Sequence, residues 1–109
     1  MSARLVALST APSAEVAEQL ARALVEEGLA ACVNVIPGVT SYYRWKGQLQ
    51  RDAELLLVIK TRAACLDGLR ATLARLHPYD VPELVALKVE DGLAPYLAWL
   101  DESTGGGKA

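Results

Sequence analysis

The feature that most constrains the fold of this chain is a run of five apolar residues near its middle. Residues 55–59 read LLLVI, with no polar residue among them. A strand with one wet face alternates apolar and polar side chains, so an uninterrupted run is typical of a strand covered on both faces. Leu56 and Val58 therefore give the second face of the predicted sheet an apolar surface that needs a covering partner.

The segments around this run predict a long β-hairpin. Residues 39–45 and 48–61 both have strand composition, and Lys46-Gly47 between them forms a short turn. Pro37-Gly38 interrupts the strand that begins at residue 30, which predicts a bulge or bend.

One helix is predicted before the hairpin and one after it, and a third follows near the end of the chain. The first starts at Ser13, a good N-cap, and ends at Gly28, which suits a left-handed cap. The second spans about residues 63–76 and stops before Pro78, because a residue preceding proline disfavours the helical conformation. The last begins at Pro95, after a strand at residues 84–89.

The resulting order is strand–helix–strand twice, followed by a terminal helix. Right-handed crossovers convert this order into the split βαβ, ferredoxin-like arrangement. The predicted fold is therefore α+β, an antiparallel sheet with a long hairpin, helices on one face and a C-terminal helix. Residues 1–102 make up a single domain and residues 103–109 a flexible tail.

Composition favours self-association and argues against several classes of partner. Apolar residues make up 52% of the 109, above the ordinary fraction of about 45–50%, and a small domain hides surface most simply against copies of itself. With a net charge of −2, the chain lacks the excess of basic residues that a protein needs to bind nucleic acid or an anionic membrane. No run of 18 apolar residues and no signal peptide is found, so we expect a cytoplasmic protein. The residues expected at the subunit contact are Tyr43, Trp45, Leu56, Val58 and Trp99.

Residues that carry chemistry are few. Cys32 and Cys65 are too few for a disulfide scaffold, His77 is the single histidine, and no phosphate-binding loop or hydrolase motif occurs. An enzyme is therefore the least expected class, and no organic cofactor is indicated. The loop HPYDVPE at residues 77–83 is stiffened by two prolines and gathers polar groups, so a ligand-facing role and a structural role have equal weight.

Two charged residues bracket the apolar strand. Glu54 and Lys60 share a face but lie about 20 Å apart, so they cannot pair. Either is most simply a strand-end charge in water. Lys60 together with nearby Arg62 could alternatively receive an anion.

Four ordered blocks of the sequence resemble one family. AACVNVIPGVTSYYRWKG (30–47), ELLLVIKT (54–61), HPYDVPE (77–83) and YLAWL (96–100) are similar to the CutA divalent-cation tolerance proteins. The resemblance spans about residues 4–101. It implies a ferredoxin-like subunit, a homotrimer like that of the PII signalling proteins, a hairpin that reaches a neighbour, and binding of divalent metals, chiefly copper.

The resemblance leaves few metal ligands in this chain. Some bacterial members carry a cysteine where this sequence has Ser9. Copper(I), which prefers sulfur, is then left with Cys32, Cys65 and Met1. Copper(II) would accept His77 and carboxylates such as Glu83.

Three hypotheses follow. The leading one is a non-enzymatic homotrimer that binds copper or another divalent cation through His77, Glu83 and Cys32. The second is a PII-like sensor that binds a small anionic metabolite in an intersubunit cleft near Lys60, Tyr79 and Glu54. The third is a structural trimer without a ligand.

Overall fold

A computed structural model describes residues 2–105 of the chain and shows an α+β fold. Seven elements follow one another: β1 (Arg4–Ala11), α1 (Ala14–Glu26), β2 (Cys32–Trp45), β3 (Gln48–Arg62), α2 (Leu66–Leu76, after a 3₁₀ turn at Ala63–Cys65), β4 (Val85–Lys88) and α3 (Ala94–Ser103). The four strands form one antiparallel sheet in the order β2-β3-β1-β4. Each of α1 and α2 therefore joins two strands that flank a third, which confirms the predicted split βαβ arrangement.

The predicted hairpin is the longest feature of the molecule. Lys46 and Gly47 both adopt positive φ, 51° and 79°, which matches the twist of a two-residue turn between antiparallel strands. The β2–β3 register shifts between Ile36 and Val39, and Gly38 between them has a φ of 82°. The expected bulge at Pro37-Gly38 is thus confirmed.

Three helix boundaries follow from local chemistry. The Ser13 hydroxyl accepts a hydrogen bond from the Val16 N–H at 3.2 Å, and Gly28 after α1 has a φ of 70°. His77 leaves the helical region, with a ψ of 134°, because Pro78 follows it.

The main core lies between the helices and one face of the sheet. Leu57 and Ile59 of the apolar run are fully buried there, against Leu20 and Leu24 of α1 and Leu69 of α2. Burying each such side chain stabilises the fold by about 1.5–3 kcal/mol.

The other face of the sheet is apolar as well. Register alternation places Leu56 and Val58 on it, where both are half-buried. Val85, Leu87 and Ile36 lie on the same face and are 49%, 57% and 43% exposed. We call this surface the second sheet face.

The helix α3 is attached at one end of the second sheet face. Arg4 binds Asp101 through two hydrogen bonds of 3.0 and 2.7 Å. Arg62 binds the hydroxyl and carbonyl of Thr104 at 2.6 and 3.0 Å. None of the three helices within residues 2–105 is long and apolar enough to cross a membrane.

The predicted flexible tail begins too early at residue 103. Ser103 still belongs to α3, and Thr104 is fully buried because Arg62 holds it and its hydroxyl bonds to the Leu100 carbonyl at 2.9 Å. Residues 106–109 of that predicted tail lie outside the described residues.

Candidate ligand-binding cleft

A cleft of about 560 Å³ opens where the hairpin meets the loop after α2. The hairpin contributes residues from both arms, β1 contributes Thr10 from its end, and the loop forms the opposite wall. Its lining residues are Thr10, Ser41, Tyr42, Tyr43, Trp45, Glu54, Tyr79, Asp80, Val81 and Glu83.

His77 anchors the loop and is buried. Its Nε2 lies 2.7 Å from the Thr10 carbonyl oxygen, which can only accept, so this nitrogen carries the proton. The Tyr79 N–H donates to Nδ1 at 3.2 Å. Both ring nitrogens therefore have partners within the fold, and the one in-plane lone pair of the ring, on Nδ1, accepts from Tyr79 and is not free for a metal ion.

Ser9 fixes the other end of the same loop. Its hydroxyl is buried and donates to the Glu83 carbonyl at 2.7 Å. Because the backbone of Glu83 is held in this way, its side chain is presented at the rim of the cleft rather than on a mobile segment. Ser9 therefore positions the end of the loop that carries Glu83.

Two phenol–carboxylate pairs lie at the cleft, whose lining includes both tyrosines and Glu54 but not Asp52. The Tyr79 hydroxyl donates to Oε2 of Glu54 at 2.8 Å, and the Tyr43 hydroxyl donates to Asp52. Burial, together with the bond to Glu54, raises the pKa of Tyr79 well above its ordinary value. The bond to Asp52 raises the pKa of Tyr43 in the same direction. Both tyrosines are therefore neutral donors at physiological pH.

The charge of the cleft is uniformly negative. Glu54, Asp80 and Glu83 are its ionisable carboxylates, and no lysine or arginine is among the described residues that line it. Glu54 is only 7% exposed, and none of the ion pairs within residues 2–105 includes it. A buried carboxylate whose observed partner is a neutral phenol favours a cation nearby.

The structure separates the residues predicted to bind metal. Cys32 pairs with Lys60 across the β2–β3 ladder, whereas Thr10, the partner of His77, pairs with Leu56. These positions are four residues apart along β3, about 13 Å.

A single copy of the chain therefore does not assemble the predicted set of His77, Glu83 and Cys32. Within the described part of the chain, no three His, Cys, Asp or Glu side chains are grouped closely enough to hold a metal ion. Cys65 is buried, and Met1 lies outside the described residues.

Of the three residues predicted for a ligand cleft, two lie together in this cleft. Glu54 and Tyr79 meet in it, but Lys60 does not line it and instead donates to the Asn34 side chain. Arg62, the other half of the suggested anion site, is engaged by Thr104. The acidic lining disfavours a small anionic metabolite at this position.

Two residues predicted for the subunit contact, Tyr43 and Trp45, line the cleft, at 42% and 45% exposure. Trp99 lies on α3 next to Tyr96, with ring centroids 5.5 Å apart. Sequence reasoning missed Asp52 and Thr10. Side chains alternate between the two faces along β3, so Asp52 shares a face with Glu54. This alternation could have identified Asp52 from the sequence.

The fold and the cleft together define a class: a small α+β domain with an acidic, aromatic-lined cleft beside a long hairpin. A family model described as CutA1 divalent ion tolerance protein matches residues 5–103. The chain belongs to this family of divalent-cation tolerance proteins, which confirms the resemblance noted in the sequence.

Individual relatives agree with this assignment. The chain is 54% identical over 100 residues to the divalent-cation tolerance protein CutA of Thermus thermophilus, covering 92% of this chain and 97% of that protein. It is 47% identical to mouse protein CutA over 90% of this chain, but it spans only 55% of the mouse protein. The solved structure of the Thermus thermophilus protein superposes with a TM-score of 0.92 at 53% identity, covering 94% of this chain and 99% of that one.

The prediction of a cytoplasmic location is wrong, because similar proteins are named for other compartments. Relatives from rice and Arabidopsis, 47% and 46% identical, are named chloroplastic. The structure from Archaeoglobus fulgidus, with 36% identity and a TM-score of 0.89, is described as that of a periplasmic protein. The proteins similar to this chain are therefore not uniformly named as cytoplasmic.

Proposed function

We propose that this protein serves in divalent-cation tolerance by binding divalent cations directly, copper among them, without catalysing a reaction. Membership of the family supports the cation class. The occupied ring nitrogens of His77 support a role without catalysis, because the single histidine is not poised as a general base.

The observation that carries the proposal is the environment of Glu54. Its carboxylate is buried in a cleft that is also lined by two further acidic side chains, Asp80 and Glu83. Bringing a cation to this position offsets the cost of an uncompensated buried charge. Carboxylate oxygens are ligands for hard divalent cations, and copper(II) accepts them as well.

We further infer that the working form is a homotrimer in which the second sheet face is covered. Support comes from the exposed apolar side chains on that face, which a stable monomer rarely presents in a contiguous patch. A trimer would also bring carboxylates from several copies within reach of one another. The expected solution mass by multi-angle light scattering is three times the 11.6 kDa of one chain; a monomer would contradict the inference.

Metal uptake tests the proposal directly. Protein stripped with a chelator is dialysed against copper(II), and bound metal per chain is measured by elemental analysis. We expect Glu54→Gln and Glu83→Gln each to reduce uptake, because each removes one negative oxygen ligand at constant size. Glu90→Gln is the matched control, an exposed glutamate outside the cleft. Wild-type uptake in both cleft variants contradicts this site, and no uptake by the wild type leaves the structural trimer as the better reading.

A further inference from the structure

The walls of the cleft concentrate the aromatic residues of the chain. The sequence holds two tryptophans, four tyrosines and no phenylalanine. Four of these six line the cleft: Tyr42, Tyr43, Trp45 and Tyr79. Packing within one copy of the chain does not explain this, because the main core between the helices and the sheet is made of aliphatic side chains.

The polar groups of the cleft make these rings better partners for a positive charge. Tyr79 and Tyr43 donate hydrogen bonds from their hydroxyls to Glu54 and Asp52, and a phenol that donates to a carboxylate gains electron density on its ring. The face of an aromatic ring already carries the negative end of its quadrupole. Ring faces and carboxylates therefore favour the same sign of ligand charge.

The size of the cleft indicates the kind of cation. About 560 Å³ lies within the range of small-molecule pockets and far exceeds the space of a single metal ion. Aromatic faces with nearby carboxylates are the usual means by which proteins recognise ammonium groups with alkyl substituents. Such a cation is large and weakly hydrated, so it does not need three oxygen ligands around one point.

We propose that the cleft binds a small organic cation of the alkylammonium class, held by the faces of Tyr43, Trp45 and Tyr79 and neutralised by Glu54. The fourth ring, Tyr42, already has the Arg51 guanidinium over it, 5.8 Å from its centroid. This site goes beyond divalent-cation tolerance and does not depend on it. Because Glu54 is shared with the proposed metal site, binding of the organic cation is measured on chelator-treated protein and metal uptake is measured without the organic cation, so each proposal can fail separately.

Isothermal titration calorimetry of chelator-treated protein with tetramethylammonium chloride tests the proposal. The control ligand is tert-butanol, an uncharged molecule of similar shape, with sodium chloride at matched ionic strength. We expect saturable binding of tetramethylammonium and at least about tenfold weaker binding of tert-butanol, since ring faces and carboxylates reward charge. The proposal is overturned if both ligands bind with equal affinity or if tetramethylammonium does not bind. Absence of binding also covers the case in which a side chain of a second copy fills the cleft.

Matched variants locate the site. Tyr43→Leu is expected to weaken binding about tenfold, while Tyr96→Leu leaves it unchanged; the two tyrosines are similarly exposed, at 42% and 43%, but only Tyr43 lines the cleft. Glu54→Gln is expected to weaken binding by a similar factor, and Glu90→Gln to have no effect. Trp45→Leu provides a second aromatic variant should Tyr43→Leu alter the hairpin, as judged by circular dichroism. Equal effects of cleft and control variants contradict the assignment.

Discussion

Tyr79→Phe is the substitution that most directly tests the structure of the cleft. It removes only the hydroxyl that donates to Glu54 at 2.8 Å and leaves the ring in place. A hydrogen bond to a charged group contributes about 1.5–3 kcal/mol. Because the phenol is only partly buried, water can replace part of that bond, and we expect a loss of about 1–2 kcal/mol in the free energy of unfolding.

A double-mutant cycle separates this bond from other effects of the variant. In a Glu54→Gln background the acceptor is neutral, so deleting the Tyr79 hydroxyl is expected to cost about 1 kcal/mol less than in the wild type. Urea unfolding is followed by circular dichroism at one fixed protein concentration, since association shifts apparent stability. Tyr96→Phe, on an exposed tyrosine, is the control and should change stability by less than about 0.5 kcal/mol.

The cycle can refute the reasoning. If Tyr79→Phe costs the same in both backgrounds, within about 0.5 kcal/mol, the two side chains are not coupled. The pKa of Tyr79 adds an independent check. Because the folded phenol keeps its proton while the unfolded one ionises near its ordinary pKa of about 10, stability should fall above that pH, and Tyr79→Phe should reduce the fall.

Three further predictions concern the scaffold. Thr61→Val should destabilise the fold by about 1–3 kcal/mol in urea unfolding, because the buried hydroxyl donates to the Leu29 carbonyl at 2.7 Å and the variant leaves that oxygen without its donor; an unchanged midpoint would argue against the bond. Arg4 lowers the pKa of Asp101, so the stability from this pair is present at neutral pH and is lost as pH falls through the folded pKa. Asp101→Asn should therefore flatten the acid side of a thermal-melting pH profile, and a profile parallel to wild type contradicts the role of the pair. Gly47→Ala should cost about 1 kcal/mol because the turn requires positive φ there, and no loss in thermal melting would mean that the hairpin turn relaxes freely.

Local sequence signals predicted the elements well because each rests on short-range chemistry. The hairpin turn needs positive φ, which Gly47 tolerates and which Lys46 beside it also adopts, at the expected place. The end of α2 before Pro78 follows from a steric clash between neighbouring residues. The apolar run was equally informative, because side-chain period along a strand assigns faces before any partner is known.

The composition of the cleft depended on contacts between distant segments. Tyr79 and Glu54 are 25 residues apart, and their pairing follows from how the loop after α2 returns to the hairpin. His77 looked like a metal ligand in the sequence because its partners were invisible there. The carbonyl of Thr10, 67 residues away, occupies its Nε2 in the fold.

The sequence by itself determined that this chain forms a split βαβ sheet with two apolar faces, because alternation, caps and turns are properties of neighbouring residues. Only the tertiary structure decided which charged side chains lie close together. Lys60 was expected in the cleft and binds Asn34 instead, while Asp52 was overlooked and pairs with Tyr43. The reason is physical: backbone preferences act within a few residues, whereas the sign of a binding cleft is set by side chains that only the register of the sheet and the path of a loop bring together.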